Sequence, residues 1–291
     1  MRVTLFGATG LLGQEIVREF RSNRPARAED ELIALSSKDA DLRDRSRIHD
    51  VILASRPDYI LLTAAYTDVD GCESNPDLAF AVNCQGAVNV ALAARQAGSR
   101  LLFLSSDYVF DGASHSPYQT ADTRNPTSVY GQSKAQAEER LLEMLPDVCI
   151  ARTSWLFGHA GKCFPATILK LASTRPEISV VNDQRGSPTF TPDLASALVQ
   201  LCRASARGIV HVTNSGNCTW YEFAVEILRM SASPTLVKPV TTAEFPRPAR
   251  RPAYSVLSPE SLHAYNIRLP DWQDALRRYL ENRPSASPRS S

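Results

Sequence analysis

Arg2-Val3-Thr4-Leu5-Phe6-Gly7-Ala8-Thr9-Gly10-Leu11-Leu12-Gly13 begins one residue into the chain, and its reading decides the fold. A short β-branched and apolar run ends in glycines spaced Gly-x-x-Gly-x-x-Gly, and apolar residues at Leu12, Ile16, Val17 and Phe20 follow at helical intervals. Strand, glycine loop and helix in that order let backbone N–H groups and a helix N-terminus approach a pyrophosphate, because the glycines remove the intervening side chains. A glycine turn with structural meaning only is the competing reading. The flanking strand and helix favour a dinucleotide site made by Gly7, Thr9, Gly10, Leu11, Leu12 and Gly13.

Outward from this unit the pattern repeats. Glu31 to Leu35 reads as a second strand running out into Ser36-Ser37-Lys38, which offers hydroxyls and a cation and lacks the carboxylate that would bind ribose hydroxyls. Ser36 and Lys38 are therefore expected to hold a 2′-phosphate, with Arg24 or Arg27 as further cations. Asp41 and Leu42 either flank an adenine or, with equal weight, Asp41 caps a helix over Arg43 to Ser55. Tyr59 to Thr63 is a third buried strand, and the small residues after it let Ala64, Ala65 and Tyr66 lie against a cofactor. Asn75-Pro76 opens a helix in the cap-then-proline order. It continues to Ala97, with Gly98 as its stop and Asn83 on it as an exposed polar residue. Arg100 to Leu104 is the fourth strand, 111–126 a loop, and Val148 to Ala151 the fifth strand. Four strand-then-helix units imply an α/β fold with a right-handed, doubly wound parallel sheet, Rossmann-like, over residues 1–152. Residues 153–281 read as a smaller substrate lobe, with helices at Pro192 to Ala204 and Trp220 to Met230, interleaved with the sheet through Ile209 to Val212. Residues 282–291 have the composition of a disordered tail.

The chemistry concentrates downstream of the fourth strand. Leu101-Leu102-Phe103-Leu104 delivers Ser106 to the carboxyl end of the sheet, where open α/β sheets place their ligands. Tyr130-Gly131-Gln132-Ser133-Lys134 puts a phenol and an ammonium on one helix face at i,i+4, an arrangement expected to lower the phenol pKa and make Tyr130 an acid/base. Nine tyrosines and five lysines in 291 residues would meet at this spacing about 0.15 times by chance. The alternative is an ordinary surface helix. Ser106 would hydrogen-bond a substrate carbonyl.

Composition sets the limits. Apolar content of 43% suffices for a core, and a net charge of +1 provides no long-range field toward nucleic acid or an anionic membrane. Six cysteines without C-x-x-C or Cys/His spacing indicate neither zinc nor a disulfide framework. They are read as reduced thiols, and with no signal peptide and no apolar stretch of spanning length the expected location is cytoplasmic.

With these residues laid out, the chain resembles the extended short-chain dehydrogenase/reductase superfamily and, within it, the dTDP-4-dehydrorhamnose reductase family. The superfamily features are the glycine loop, Ser106, Tyr130 and Lys134. The more specific stretches are Ala64-Ala65-Tyr66-Thr67-x-Val69-Asp70 with Glu73, Ser106-Asp107-Tyr108-Val109-Phe110-Asp111-Gly112, Arg152-Thr153-Ser154-Trp155, Asp183-Gln184-x-Gly186-Ser187-Pro188-Thr189 and Arg251-Pro252. The chain departs from the family at Leu62, usually Asn, at Ser106, usually Thr, and in lacking an acidic residue after the second strand. The resemblance implies reduction of the C4 ketone of a dTDP-linked 4-keto-6-deoxy sugar by hydride from NADPH, with NADH as the alternative. Tyr130 would supply the proton, Lys134 would adjust its pKa and hold the nicotinamide ribose, and Leu104 would join the cofactor wall. Trp155 would wall the sugar, or else plug the lobes together, and Asp107 would accept a sugar hydroxyl, or else merely turn the chain. Some members bind magnesium where two copies meet as a homodimer; Glu15 is a candidate for such a contact, and no metal is assigned. Two other readings stand beside this one: the non-catalytic regulatory β subunit of methionine adenosyltransferase, and a nucleotide-sugar epimerase or dehydratase. Only a reductase oxidises the cofactor stoichiometrically.

Overall fold

Alternating apolar residues on six short strands face two sides, and the structure covers both. The computed structural model describes residues 1–22 and 30–283. Six parallel strands, β1 (Arg2–Phe6), β2 (Glu31–Leu35), β3 (Tyr59–Leu62), β4 (Arg100–Ser106), β5 (Cys149–Thr153) and β6 (Gly208–His211), form one sheet in the order β6-β5-β4-β3-β1-β2. The order reverses at β1, so a crevice opens beyond the carboxyl ends of β1 and β3, the position where such sheets bind ligands.

Val3, Leu5, Leu61 and Leu102 point to one face, where α1 (Leu11–Arg21) and the helix Thr191–Arg203 cover them through Leu12, Ile16, Leu194 and Leu198. Phe6, Ile60, Leu62, Leu101 and Phe103 point to the other, under α2 (Arg45–Ser55), α3 (Pro76–Ala97) and α4 (Val129–Met144). The period of two along the strands thus builds two cores from one sheet. The helix Thr191–Arg203, assigned by the sequence to the smaller lobe, belongs to the sheet layer because Leu194, Leu198 and Leu201 lie on its buried stripe. A third core, around Phe157, Phe190, Phe223, Ile227, Trp272 and Leu276, lies off the sheet and gathers the later segments.

The strands run close to their expected bounds. β4 extends two residues further, to Ser106, because it pairs with β5 as far as Ser106 opposite Thr153. α2 is capped by Asp44, whose carboxylate accepts from the Arg47 N–H at 3.0 Å, and not by Asp41. Gly98 ends α3 at φ 67°, a left-handed position that glycine adopts without strain. Contrary to expectation, α3 does have the length and apolarity of a membrane span; most of it is buried between β-sheet and α4 side chains as a core helix. Arg24, Arg27 and residues 284–291 lie outside the described residues.

Candidate active site

The crevice is a cleft of about 770 Å³, and its first wall is backbone. Gly7 sits at φ 96°, and a Cβ there would come within 2.7 Å of the Ala64 nitrogen; at Gly13 a Cβ would come within 2.0 Å of the Gly7 carbonyl. Only glycine permits the helix to start this close to the strand. α1 then begins at Gly10 with no side-chain cap, so its first N–H groups, unsatisfied within the helix, face a cleft lined by Thr9, Gly10, Leu11, Leu12 and Gly13. Uncapped amides at a helix N-terminus suit the pyrophosphate of a dinucleotide.

At the β2 end, Ser36, Ser37, Asp41, Leu42 and Arg43 line the cleft, and Lys38 does not. The Ser36 hydroxyl donates to Asp39 at 2.6 Å and accepts from the Lys38 N–H at 3.3 Å, so the turn curls the lysine away. A carboxylate thus follows the strand after all, engaged by Ser36 outside the cleft wall. The cation on the wall is Arg43, which holds Asp41 through Nε and Nη2 at 2.6–3.1 Å. Leu42 is fixed by Asn89, whose amide donates to its carbonyl at 2.9 Å.

Ala64, Ala65 and Tyr66 line the middle of the cleft. Asn83, read as exposed, is 2% exposed and locks this loop. Its side chain accepts from the Tyr66 N–H at 2.7 Å, donates to the Tyr66 carbonyl at 3.1 Å and donates to the Ser133 hydroxyl at 3.0 Å. Ser133 in turn donates to the Tyr130 carbonyl at 2.7 Å. A π turn over Ala81–Gln85 carries Asn83, a kind of turn that is frequent at functional sites.

The reacting end gathers Leu104, Ser106, Asp107, Tyr108, Tyr130, Lys134 and Trp155. α4 starts beneath it under three restraints. Ser128 caps the Gly131 N–H at 3.2 Å, Glu73 accepts from the Val129 N–H at 2.8 Å, and a Cβ at Gly131 would sit 2.2 Å from the Tyr108 carbonyl. Tyr130 packs edge-on against Tyr108, with ring centroids 5.7 Å apart, and the Ser106 hydroxyl faces its phenol. Lys134 is buried; its Nζ donates to the Leu104 carbonyl at 2.6 Å and lies 4.0 Å from the centre of the Phe103 ring.

The electrostatics reverse one expectation. Burial, and after it the Asp107 charge, push the Tyr130 phenol well above its ordinary pKa, and the ammonium does not pull it down. Burial also pushes Lys134 down to about 7 against the pull of Glu138. Asp107, 2% exposed, is raised by burial to about 6, although the Ser255 and Ser106 hydroxyls oppose the shift. Ser106 donates to its Oδ1 at 2.9 Å.

Trp155 follows β5 in a left-handed conformation, φ 47°, and stacks on Trp220 with centroids 3.5 Å apart and planes 6° from parallel. A Cβ at Gly186 would meet its ring at 2.5 Å, and Ser154 donates to the Ser187 carbonyl at 2.7 Å. The run from Asp183 to Thr189 is therefore the mount for this indole. Trp220 was not foreseen. Arg251 and Arg247 hold Asp70 at 3.0 and 2.9 Å; burial raises this carboxyl, but those hydrogen bonds outweigh it and leave it at about 2. Gly112, at φ 83°, lies where a Cβ would meet Pro252 at 2.5 Å. Glu15 is buried and accepts from Arg18 at 2.6 Å.

The match to known proteins extends over the same residues. The RmlD substrate binding domain family matches residues 1–284. The spore coat polysaccharide biosynthesis protein SpsK of Bacillus subtilis is 41% identical over 98% of this chain and 99% of its own length, and a dTDP-4-dehydrorhamnose reductase of Mycobacterium tuberculosis is 38% identical over 94% and 91%. The crystal structure of a dTDP-4-dehydrorhamnose reductase from Clostridium acetobutylicum superposes with a TM-score of 0.92 at 36% identity, covering 97% of this chain and 99% of the other. One from Bacillus anthracis, solved in complex with NADP, gives 0.91 at 36% identity over 96% and 98%. With a full-length family match and relatives above 30% identity across nearly the whole sequence, the chain belongs to the RmlD substrate binding domain family.

Proposed function

We propose that this protein is an NAD(P)H-dependent reductase that converts the C4 ketone of dTDP-4-dehydro-L-rhamnose to the alcohol of dTDP-L-rhamnose. The observation that carries the chemistry is a phenol held protonated beside a serine hydroxyl in a dinucleotide-shaped cleft. Hydride is what the nicotinamide cofactor supplies when bound. Tyr130 donates the proton to the developing alkoxide. Its raised pKa keeps the proton in place at neutral pH, and an alkoxide is still the stronger base. Ser106 steadies the carbonyl oxygen, while Lys134 presents its ammonium to the cofactor's ribose hydroxyls. The indole of Trp155, backed by Trp220, offers an apolar face to the deoxy sugar, and Asp107 accepts a sugar hydroxyl.

The uncapped amides of α1 and the side-chain-free approach that the glycines leave beside them fit a pyrophosphate. NADPH is the preferred cofactor in this reading, through Ser36, Ser37 and Arg43 in place of Lys38. The named relatives favour reduction over the binding-protein and epimerase or dehydratase readings. Residues 1–152 with β6 then form the dinucleotide-binding part and the third core the substrate lobe. The substrate and cofactor suit a cytoplasmic protein. Mixing the purified protein with NADPH and dTDP-4-dehydro-6-deoxy-L-mannose should consume one NADPH per dTDP-L-rhamnose formed. Turnover without NADPH loss, or no reaction, removes the assignment.

A further inference from the structure

A segment from the second half of the chain packs over the start of α1. After the short strand Leu156–Phe157, which pairs with Thr189–Phe190, residues 158–163 lead into the helix Phe164–Ala172. The Gln14 amide donates to the Thr9 carbonyl at 3.0 Å and to the Ala160 carbonyl at 3.4 Å, so one side chain ties the glycine loop to this crossing segment. A Cβ built at Gly158 would lie 3.5 Å from Leu11 Cδ1, and one built at Gly161 would lie 3.9 Å from the same carbon. Lys162 comes next. It lines the cleft together with Gly10, Leu11 and Leu12.

Three cations line the cleft among the described residues, and their commitments differ. Arg43 is engaged by Asp41 at the β2 end, and Lys134 is buried with its ammonium on the Leu104 carbonyl. Lys162 is exposed and makes no hydrogen bond or ion pair with a described residue. A dinucleotide's pyrophosphate carries two negative charges, whereas a helix N-terminus supplies the equivalent of about half a positive one. The amides of α1 therefore leave most of that charge unbalanced. We infer that Lys162 is the cation for the cofactor's pyrophosphate, brought to it by the segment that Gln14 and Leu11 hold against α1. The inference rests on the nicotinamide cofactor of the proposed function. An ammonium on a flexible stem binds phosphate as a point charge and needs no fixed fork geometry. Because the segment continues from Trp155, the part of the chain that walls the sugar also grips the cofactor.

The test measures binding, with no turnover required. In the full chain, Lys162→Met should weaken NADPH and NADH alike, by roughly three- to tenfold in the Kd read by fluorescence titration, between the effect of an exposed ion pair and that of a charge-assisted hydrogen bond. Equal loss is the signature, since the two cofactors share the pyrophosphate and differ at the 2′-phosphate. ADP-ribose, followed by calorimetry, should weaken by the same factor, and dTDP should bind as before. Lys162→Arg should restore most of the affinity, and added salt should narrow the difference between the wild-type protein and Lys162→Met. Unchanged Kd values for both cofactors overturn the inference. So does a loss confined to NADPH, which puts the lysine at the 2′-phosphate, or a loss that falls on dTDP, which puts it at the sugar nucleotide's diphosphate. Weaker binding of both cofactors by the variant of a protein that never reduces the sugar nucleotide would refute the proposed reaction and leave this result standing, whereas normal turnover with unchanged Kd removes the lysine's role alone.

Discussion

The two ends of the cleft are made by opposite means. At the α1 end the contacts belong to backbone: three glycines, an uncapped helix start and the tight loop at Ala64-Ala65. These come from the ends of the first and third strands, and on the proposed function what they meet is a phosphate that any sequence with the same dihedral angles would hold. At the Tyr130 end the contacts belong to side chains delivered by segments far apart, from Asp70 to Arg251 and from Trp155 to Trp220. On the proposed function the first end is generic to dinucleotides, and the second end carries the choice of substrate. Binding and reactivity should therefore be separable by mutation.

The largest effect that would sharpen this contrast is at Tyr130. Loss of a general acid typically costs roughly 100- to 10,000-fold, so Tyr130→Phe should lose that much kcat while NADPH affinity, measured by fluorescence titration, stays put. Near-normal turnover would break the comparison at its reacting end. Trp155→Ala should act more mildly. Aromatic packing contributes about 0.5–1.5 kcal/mol beyond area burial, so KM for the sugar nucleotide should rise by roughly two- to tenfold with cofactor affinity unchanged. Unchanged kinetics with a lower Tm would make the indole a plug between the cores.

The smallest effect belongs to the β2 end. Arg43 is exposed and already paired with Asp41, and contacts of that kind contribute about 0.2–1 kcal/mol. Arg43→Ala should cut kcat/KM for NADPH by roughly two- to fivefold and leave NADH alone, whereas Lys38→Ala should change neither. A drop confined to Lys38→Ala would reverse the assignment of the cation.

The same contrast explains what could be read from the amino acids. Strand, glycine loop and helix follow from local spacing, so the sheet and the α1 end were legible. Asn83 was not, since an amide inside an apolar helix looks exposed until the loop at Tyr66 folds over it. Lys38 and Arg43 traded places because a turn through Ser36 and Asp39 decides which cation faces inward. The Tyr130 pKa reversed for a different reason. Helical spacing put the lysine beside the tyrosine on one face, but the ammonium turns one donor to the Leu104 carbonyl over the Phe103 ring, and burial sets the direction of both groups.

The edge position of β6 also bears on how the chain is made. β5 ends at Thr153 and β6 begins at Gly208, so β5 leaves the ribosome with one hydrogen-bonding edge bare. At synthesis rates of about 5–20 residues per second, the missing strand arrives roughly 3–11 s later. During that interval Ile150 and its neighbours form a template open to other nascent chains, and how quickly the second half is translated becomes a determinant of yield.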